Sequence, residues 1–315
     1  MLPLRDDLHF LLFDWLHAEA LATRPDFNHL DRDSIEAMID AALDLAAAEF
    51  LSHAAKSDAN PPGFHDGKVS IIPEVAKALT AYREAGLFGM QAPQDEGGLG
   101  LPYTVVSAIG AAFSAANIAT NGYAFLTQAA ANPIRETREE QQKRRYLPAM
   151  VEGRWFGTMC LSEPQAGSSL ADIRTIAEPL PDGRYSLRGN KMWISSGDHE
   201  MAENIVHLVL AKIPGGPAGS KGISLFIVPR RHVDADGRAG ARNGVRLLGL
   251  GDAPKGLNIT CWSASASAVK AIEAAGGHAL PIVGDVRNDD DITEAMLKTQ
   301  GEFGGLDIVI NNASV

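Results

Sequence analysis

The sequence has few cysteines and no long uninterrupted apolar run. Only two cysteines, Cys160 and Cys261, occur in 315 residues, which excludes a disulfide framework and indicates a reducing compartment. Cys160 lies within an apolar run, so we expect it to pack in the core rather than act as a nucleophile. No run reaches the roughly 18 apolar residues that a membrane span needs, and charged residues break the apolar stretch at the amino terminus. We therefore expect a cytoplasmic protein with no membrane partner.

Positive charge is also scarce. Lysine and arginine number 28 against 39 aspartates and glutamates, which gives a formal net charge of −11. Binding to DNA or RNA requires a basic surface that displaces counterions, so this balance excludes a nucleic-acid partner. With 45% hydrophobic and 21% charged residues, the chain has the composition of an ordinary globular protein with room for two or three domains.

The segment 155–197 carries the first part of the candidate chemistry. An apolar run over 156–161 breaks at Ser162-Glu163-Pro164 and opens into the small-residue loop 165–169, which reads QAGSS. Glycine and serine permit backbone dihedrals that point successive N–H groups into one concavity. A diphosphate is the natural occupant of such a nest.

The second half of this segment predicts a hairpin. Alternating residues flank the turn Pro181-Asp182-Gly183, and the second arm ends in KMWIS over 191–195. Such a hairpin would deliver a large flat aromatic side chain and a hydroxyl group to the neighbourhood of the loop.

Together these motifs resemble the flavin-binding signature of the acyl-CoA dehydrogenase family. MCLSEPQAGSS is followed about two dozen residues later by KMWISSG, in the order and spacing of the middle domain of that family. The runs 197–231 and 242–245 resemble the branch that includes methylmercaptopropionyl-CoA dehydrogenase. The resemblance covers residues 1 to about 250. It implies a multidomain α and β protein with an amino-terminal helical bundle at 1–153 and a middle antiparallel β-barrel domain, the flavin-binding domain, at 154–250.

The resemblance also implies FAD as the cofactor and a set of residues that contact it. These are Met159, Leu161, Ser162, Gly167, Ser168, Trp193, Ile194 and Ser195. Ser162 and Ser195 replace the threonines that are commoner in relatives, but they retain the hydroxyl, and Ser168 would also meet the bound thioester. In the alternative interpretation, Trp193 is a core residue of the barrel and the serines cap turns.

The family removes two hydrogens across the α and β carbons of an acyl-CoA thioester and passes electrons to an electron-transferring flavoprotein. Its base is a glutamate in a helical domain that follows the β domain, and relatives form homo-oligomers. We expect that domain to be absent here, so we assign no catalytic residue to this chain. The expected consequences are impaired activity and exposed apolar surface on the helical and β domains.

Residues 251–315 change character and predict a βαβαβ run. Strands are expected at 256–263, 278–286 and 306–314, and helices at 265–277 and 289–305, which is typical of a parallel doubly wound sheet. The segment resembles a truncated short-chain dehydrogenase/reductase, with Asn311-Asn312-Ala313 matching that family's NNAG. It is therefore a partial Rossmann-like α/β fragment. Two alternatives to a flavoprotein follow: a non-catalytic chimeric remnant, or part of a nicotinamide-dependent short-chain oxidoreductase.

Local patterns predict the remaining elements. Asp33 is expected to cap a helix with Glu36 as its capping-box partner, Pro73 is expected to begin a helix that stops near Gly86, and a further helix is expected over 103–116. Alternating residues predict short strands at 173–178, 184–190, 205–211, 223–228 and 245–248.

Two further patterns are weaker. His199-Glu200 and Glu203 imitate part of a zinc-protease helix, but a second histidine is lacking and strands flank the segment, so no metal site is expected. Glu163 and Glu200 are the carboxylates closest in sequence to the flavin motifs, and we do not expect either to act as a substitute base.

Overall fold

The computed structural model describes residues 4–65, 67–245, 259–261, 279–281 and 297–298. The chain divides into two compact units, Met1–Leu247 and Leu248–Val315. The first unit is a helical part followed by a β domain. The predicted multidomain organisation, with helices first and sheets after them, is confirmed.

Helices occupy most of the first 151 residues. They are Arg5–His9 (α1), Arg32–Leu45 (α2), Ala54–Ala59 (α3), Pro73–Glu84 (α4), Tyr103–Arg135 (α5) and Glu140–Val151 (α6). α1 and α2 continue directly into π-helical turns, Phe10–Trp15 and Ala46–Phe50. A small antiparallel hairpin of Gly63–His65 (β1) and Lys68–Ser70 (β2) separates α3 from α4.

The cap of α2 differs from the prediction. Asp31, not Asp33, is the N-cap, because its extended backbone lets the carboxylate accept the Ser34 N–H at 2.8 Å. The Ser34 hydroxyl in turn accepts the Asp31 N–H at 2.9 Å, which completes a reciprocal capping box. Ser34, the third helical residue, is therefore the capping-box partner, and not Glu36 as predicted.

The other two helix predictions are confirmed. α4 begins at Pro73, and Gly86, just beyond its end, has a φ of +72°. α5 begins at Tyr103 as expected, and its regular geometry breaks at Asn117, where φ is −164° and ψ is 93°. The Asn117 carboxamide oxygen accepts the Thr120 N–H at 3.1 Å, so this side chain restarts a second helical segment that ends at Arg135.

α5 is the central helix of this unit. Among the described residues it is long and apolar enough to cross a membrane by length and composition, but half of its most apolar stretch is buried inside the protein. Core helices of globular proteins pass the same test. Gly157 of the following strand lies so close that an added Cβ would meet the Ala130 Cβ at 2.6 Å and the Thr127 Cα at 3.2 Å. The small residues Gly157 on β3 and Ala130 on α5 therefore permit close helix-on-sheet packing.

The β domain is built on a five-stranded sheet. Its strands are Trp155–Cys160 (β3), Ile176–Pro179 (β4), Tyr185–Arg188 (β5), Asn204–Lys212 (β6) and Ile223–Pro229 (β7). β6 is the central strand, since it pairs with β3 along its first six residues, with β7 along most of its length and with β4 at its last residue. Arg231–Val233 (β8) and Ala239–Arg242 (β9) form a separate antiparallel pair that the sequence analysis did not predict.

The pairing is mixed, which corrects the expectation of a wholly antiparallel barrel. β4–β5 and β6–β7 are antiparallel, but β3 runs parallel to β6, with Trp155 opposite Asn204 and Cys160 opposite Val209. The alternation of apolar and polar residues indicates which face of a strand is buried, but it does not indicate the direction of the neighbouring strand. The long connection between β3 and β6 permits a parallel crossover. In the strand predicted at 245–248, only Val245 lies within the described residues, and it is not in a strand.

In the second unit, Ile259–Cys261 (β10) pairs in parallel with Ala279–Pro281 (β11). These strands fall inside the segments predicted at 256–263 and 278–286, so their parallel pairing is confirmed. Residues 297–298 are helical, inside the helix predicted at 289–305. The third strand and Asn311-Asn312-Ala313 lie outside the described residues.

Large apolar side chains are exposed on both parts of the first unit, as predicted. On the helical part they are Phe10, Leu11, Trp15, Leu16, Leu51, Tyr103, Ile118 and Phe125. On the β domain they are Ile176, Leu180, Tyr185, Trp193 and Leu225.

Candidate functional site

The small-residue loop and the residues that lead into it, 162–169, form a bend that follows β3. Glu163 and Ala166 form a tight turn through two backbone hydrogen bonds, of 2.8 and 3.0 Å, and Ala166 is buried beneath it. Gly167 and Ser168 then lie exposed, and a Cβ built on Gly167 would meet nothing within 4 Å. Their N–H groups have no acceptor within the part of the chain that the structure describes. The bend therefore presents free backbone donors to open space, as an anion-binding loop requires.

The buried carboxylate of Glu163 holds the bend in place. One oxygen accepts the Lys191 ammonium at 2.8 Å, the Thr175 hydroxyl at 2.5 Å and the Thr175 N–H at 3.1 Å. The other accepts the Arg174 N–H at 2.6 Å and the Gln165 side-chain amide at 2.8 Å. Five donors from three separate stretches of chain thus converge on a single side chain.

This environment fixes the charge of Glu163. Burial by itself raises the pKa of the carboxyl, but the hydrogen bonds from Lys191, Thr175, the Arg174 backbone and Gln165 outweigh it and lower the pKa to about 2. A carboxylate with that pKa is a poor proton acceptor near neutral pH. Glu163 is thus a structural anchor of the bend.

The predicted hairpin is present, and its trailing segment reaches the bend. β4 and β5 pair around a turn in which the Gly183 φ is +82°. Beyond β5, the Met192 N–H donates to the Ser162 carbonyl at 3.0 Å, and the Lys191 ammonium donates to the Leu161 carbonyl at 3.0 Å. The two motifs, about 30 residues apart in sequence, are therefore hydrogen bonded to each other.

Trp193 is the next residue after this junction. Its side chain is 68% exposed, so it is not a core residue of the β domain, and that alternative interpretation is wrong. Its φ of +59° is unusual for a residue with a bulky side chain and is followed by another positive φ at Ser196. The indole therefore projects from a constrained backbone one residue after Met192, which is hydrogen bonded to Ser162.

The other predicted residues lie around the same junction. Met159 on β3 is half-buried and packs against the cluster that contains Trp155 and Leu208. Leu161, Ser162 and Ile194 are half-buried, and Ser195 is exposed. Within the described residues, the hydroxyls of Ser162, Ser168 and Ser195 have no hydrogen-bond partner. The hydrogen bonds at Ser162 and Leu161 join the two stretches that carry these residues, and the individual roles of the residues toward a flavin stay predictions.

A buried histidine pair lies apart from the bend. His207 on β6 shares a 2.7 Å hydrogen bond with the Thr158 hydroxyl, and the His199 ring packs between the rings of Tyr123 and Phe156, at 5.3 and 5.1 Å. Both histidines have a buried Nε2 atom without a partner. His199 lies in a loop and not on a helix, so the resemblance to a zinc-protease helix fails. Among the described residues, no group of three or more potential metal ligands occurs.

Arg230 fixes the loop that carries His199. Its guanidinium is buried and donates to the Asp198 carboxylate at 2.8 Å, to the His199 carbonyl, and to the Ala202 carbonyl at 3.3 Å. Burial, reinforced by Arg230, lowers the pKa of His199 to about 4, although Asp198 opposes this shift. Burial likewise lowers the pKa of His207 to about 4.

Sequence reasoning missed the network around Glu163. From the sequence, Glu163 was identified only as a carboxylate close to the flavin motifs, and Lys191 only as the first residue of KMWIS. A glutamate and a lysine 28 residues apart carry no pairing signal on their own. The predicted hairpin, which folds Lys191 back toward Ser162, was the one available indication.

Family models match nearly the whole chain in three consecutive segments. Residues 32–154 match the acyl-CoA dehydrogenase N-terminal domain, and residues 158–252 match the acyl-CoA dehydrogenase middle domain. Residues 254–315 match the short chain dehydrogenase model.

Curated relatives give the same result. The chain is 34% identical over 251 residues to the 3-methylmercaptopropionyl-CoA dehydrogenase of Ruegeria pomeroyi, covering 79% of this chain and 42% of that protein. It is 33% identical over 286 residues to the broad-specificity linear acyl-CoA dehydrogenase FadE5 of Mycobacterium tuberculosis, covering 90% of this chain and 46% of that protein. The chain therefore spans less than half the length of these relatives.

Solved structures share the fold. An acyl-CoA dehydrogenase complexed with FAD from Bacillus anthracis matches with a TM-score of 0.52 and 26% identity, covering 62% of this chain and 31% of that chain. An acyl-CoA dehydrogenase from Geobacillus kaustophilus matches with a TM-score of 0.52 and 25% identity, covering 63% and 48%. The bend, the hairpin and the two consecutive domain matches agree: up to about residue 250 this chain belongs to the acyl-CoA dehydrogenase family, and a segment similar to short-chain dehydrogenases follows.

Proposed function

We propose that this chain is a flavoprotein of the acyl-CoA dehydrogenase type and that the β domain holds FAD between the bend at 162–169 and the segment 191–195. The observation that carries the proposal is the hydrogen bond from the Met192 N–H to the Ser162 carbonyl. It joins the two motifs at the residue that precedes the exposed Trp193.

The donor set fits the chemistry of FAD. The N–H groups of Gly167 and Ser168 suit the diphosphate, because both are exposed and have no internal acceptor among the described residues. The hydroxyls of Ser162 and Ser195 suit the polar edge of the ring system, and Trp193 suits its flat face. When bound, the flavin supplies a hydride acceptor.

The proposed reaction is α,β-dehydrogenation of an acyl-CoA thioester, with an electron-transferring flavoprotein as acceptor. The names of the relatives support the substrate class, and a solved structural neighbour is an electron transferring flavoprotein of Acidaminococcus fermentans. Neither nearby carboxylate is proposed as the base. The pKa of Glu163 is lowered to about 2, which makes it a weak proton acceptor, and Glu200 is 59% exposed and paired with Arg242 at 3.2 Å. We therefore expect slow or no turnover by this chain.

Retention of flavin tests the proposal. The purified chain should stay yellow through gel filtration, and Trp193→Ala should weaken FAD binding because it removes the side chain that covers the ring. Trp15→Ala is the matched control, since Trp15 is 65% exposed and lies on the helical part. A chain that binds no FAD, or equal losses from the two substitutions, would contradict the proposed site and favour a non-catalytic remnant.

Turnover is tested separately. Adding an acyl-CoA to the FAD-loaded chain without oxygen should bleach the flavin slowly or not at all. Rapid bleaching would show that a base is present and would overturn the expectation of impaired activity. Oxidation of a nicotinamide cofactor by the chain would favour the short-chain oxidoreductase alternative.

A further inference from the structure

Glu163 connects the three stretches that form the candidate flavin site. Its donors come from its own turn (Gln165), from the approach to β4 (Arg174 and Thr175) and from the segment that follows β5 (Lys191). Both ends of the central ion pair are shielded, with side-chain exposures of 11% for Lys191 and 3% for Glu163. The pair is therefore weakly screened by solvent, and removing one partner leaves a buried charge unpaired.

Trp193 follows directly on this connection. Because Trp193 is 68% exposed, packing contributes little to its placement, and its backbone fixes the direction of its Cα–Cβ bond. That backbone has a positive φ and is tethered two residues earlier by the Lys191 ammonium. The Met192 N–H bond to the Ser162 carbonyl supplies the second tether.

We propose that Glu163 is a positioning residue that acts through Lys191 to fix the backbone of Trp193, and so the placement of its indole, relative to the bend. The inference rests on the proposed FAD site, because the purpose of the arrangement is to cover the flavin ring. Glu163 does not touch the flavin in this scheme. Its carboxylate sets the separation between the phosphate-facing turn and the ring-covering indole.

The first test reads the indole without any flavin. The full chain is labelled with 5-fluorotryptophan, and Trp193→Phe assigns one of its four tryptophan resonances. Glu163→Gln and Lys191→Met should each shift or broaden the Trp193 signal, because each breaks the ion pair. Glu178→Gln, which removes an exposed carboxylate from β4, should leave it unchanged.

The second test asks whether Glu163 acts through the indole. Glu163→Gln should weaken FAD binding at least about tenfold when Trp193 is present, and less than about threefold in a Trp193→Ala background. A difference of that size between the two backgrounds is expected when two residues are coupled. A purely structural role would lower affinity equally in both backgrounds, and that result would overturn the proposal. Glu163→Gln combined with Lys191→Met should bind FAD no more weakly than either single variant.

The outcomes separate the two proposals. If the native chain binds no FAD, the proposed function fails, while the fluorine signal of Trp193 still decides whether Glu163 positions it. If FAD binds and Glu163→Gln changes neither affinity nor spectrum, only the positioning role is wrong. Should thermal melts show that Glu163→Gln does not fold, Thr175→Val removes one hydroxyl donor to the same carboxylate and should change the signal in the same direction, by less.

Discussion

Lowering the pH from 7 to 4.5 should destabilise this protein through the buried pair His199 and His207. Burial is the largest cause for both histidines, and it lowers the pKa of each from 6.5 to about 4. The nearby Arg230 guanidinium strengthens the shift and Asp198 opposes it. The Nδ1 atom of His199 accepts the Met201 N–H, so a second proton on this ring would displace that hydrogen bond, and the Nε2 atoms of both histidines are buried without a partner among the described residues.

The direction in which the free energy of unfolding changes with pH follows from proton binding. Between pH 6.5 and pH 4 the unfolded chain protonates both histidines while the folded chain keeps them neutral. Stability is therefore complete above pH 6.5 and declines as the pH falls toward 4. A shift from 6.5 to about 4 corresponds to about 3 kcal/mol for each histidine. The steepest slope is about 1.4 kcal/mol per pH unit for each, or about 2.7 kcal/mol for the pair.

Urea unfolding at a series of pH values from 7 to 4.5 measures this slope. His199→Phe keeps an aromatic ring between Tyr123 and Phe156 and should roughly halve the slope. Its stability at pH 7 should fall by about 1–3 kcal/mol, because the Met201 N–H loses its acceptor. His17→Asn is the control, since His17 has a side chain that is 68% exposed and a positive φ that asparagine tolerates.

Two results would contradict this prediction. An unfolding free energy of the native protein that stays constant from pH 7 to 4.5 would mean that the folded state accepts the protons. Equal slopes for His199→Phe and His17→Asn would place the pH dependence in other groups.

Two further pairs of substitutions test the packing and the capping. Gly157→Ala should lower the free energy of unfolding by about 1–3 kcal/mol, because its Cβ would meet the Ala130 Cβ at 2.6 Å, whereas Gly110→Ala on α5 has open space and should raise it by up to about 1 kcal/mol. Asp31→Ala should cost about 0.5–2 kcal/mol in urea unfolding and Asp33→Ala clearly less; equal costs would contradict the observed cap.

Local chemistry made several elements predictable. Proline has a fixed φ and lacks an N–H, so Pro73 marks the first residue of α4. Glycine adopts positive φ freely, so Gly183 marks the turn of the β4–β5 hairpin. The cap of α2 was misplaced by two residues because several polar residues there suit the role, and only the extended backbone of Asp31 decides among them.

Strand direction and the buried polar network were not predictable in the same way. The parallel pairing of β3 with β6 depends on how the chain crosses between them, which alternation does not encode. The partnership of Glu163 with Lys191, and the burial of His199 beside Tyr123, arise only when distant segments meet.

The sequence by itself determined the family, the order of helices before strands and the two stretches that form the candidate flavin site, because these rest on short motifs and local dihedral preferences. Tertiary structure decided that the two stretches are hydrogen bonded at Ser162 and Met192, that Trp193 is exposed and that Glu163 is held ionised. The physical reason is that exposure, pKa and hydrogen-bond partners belong to the surroundings of a side chain, and those surroundings come from residues far away in the chain.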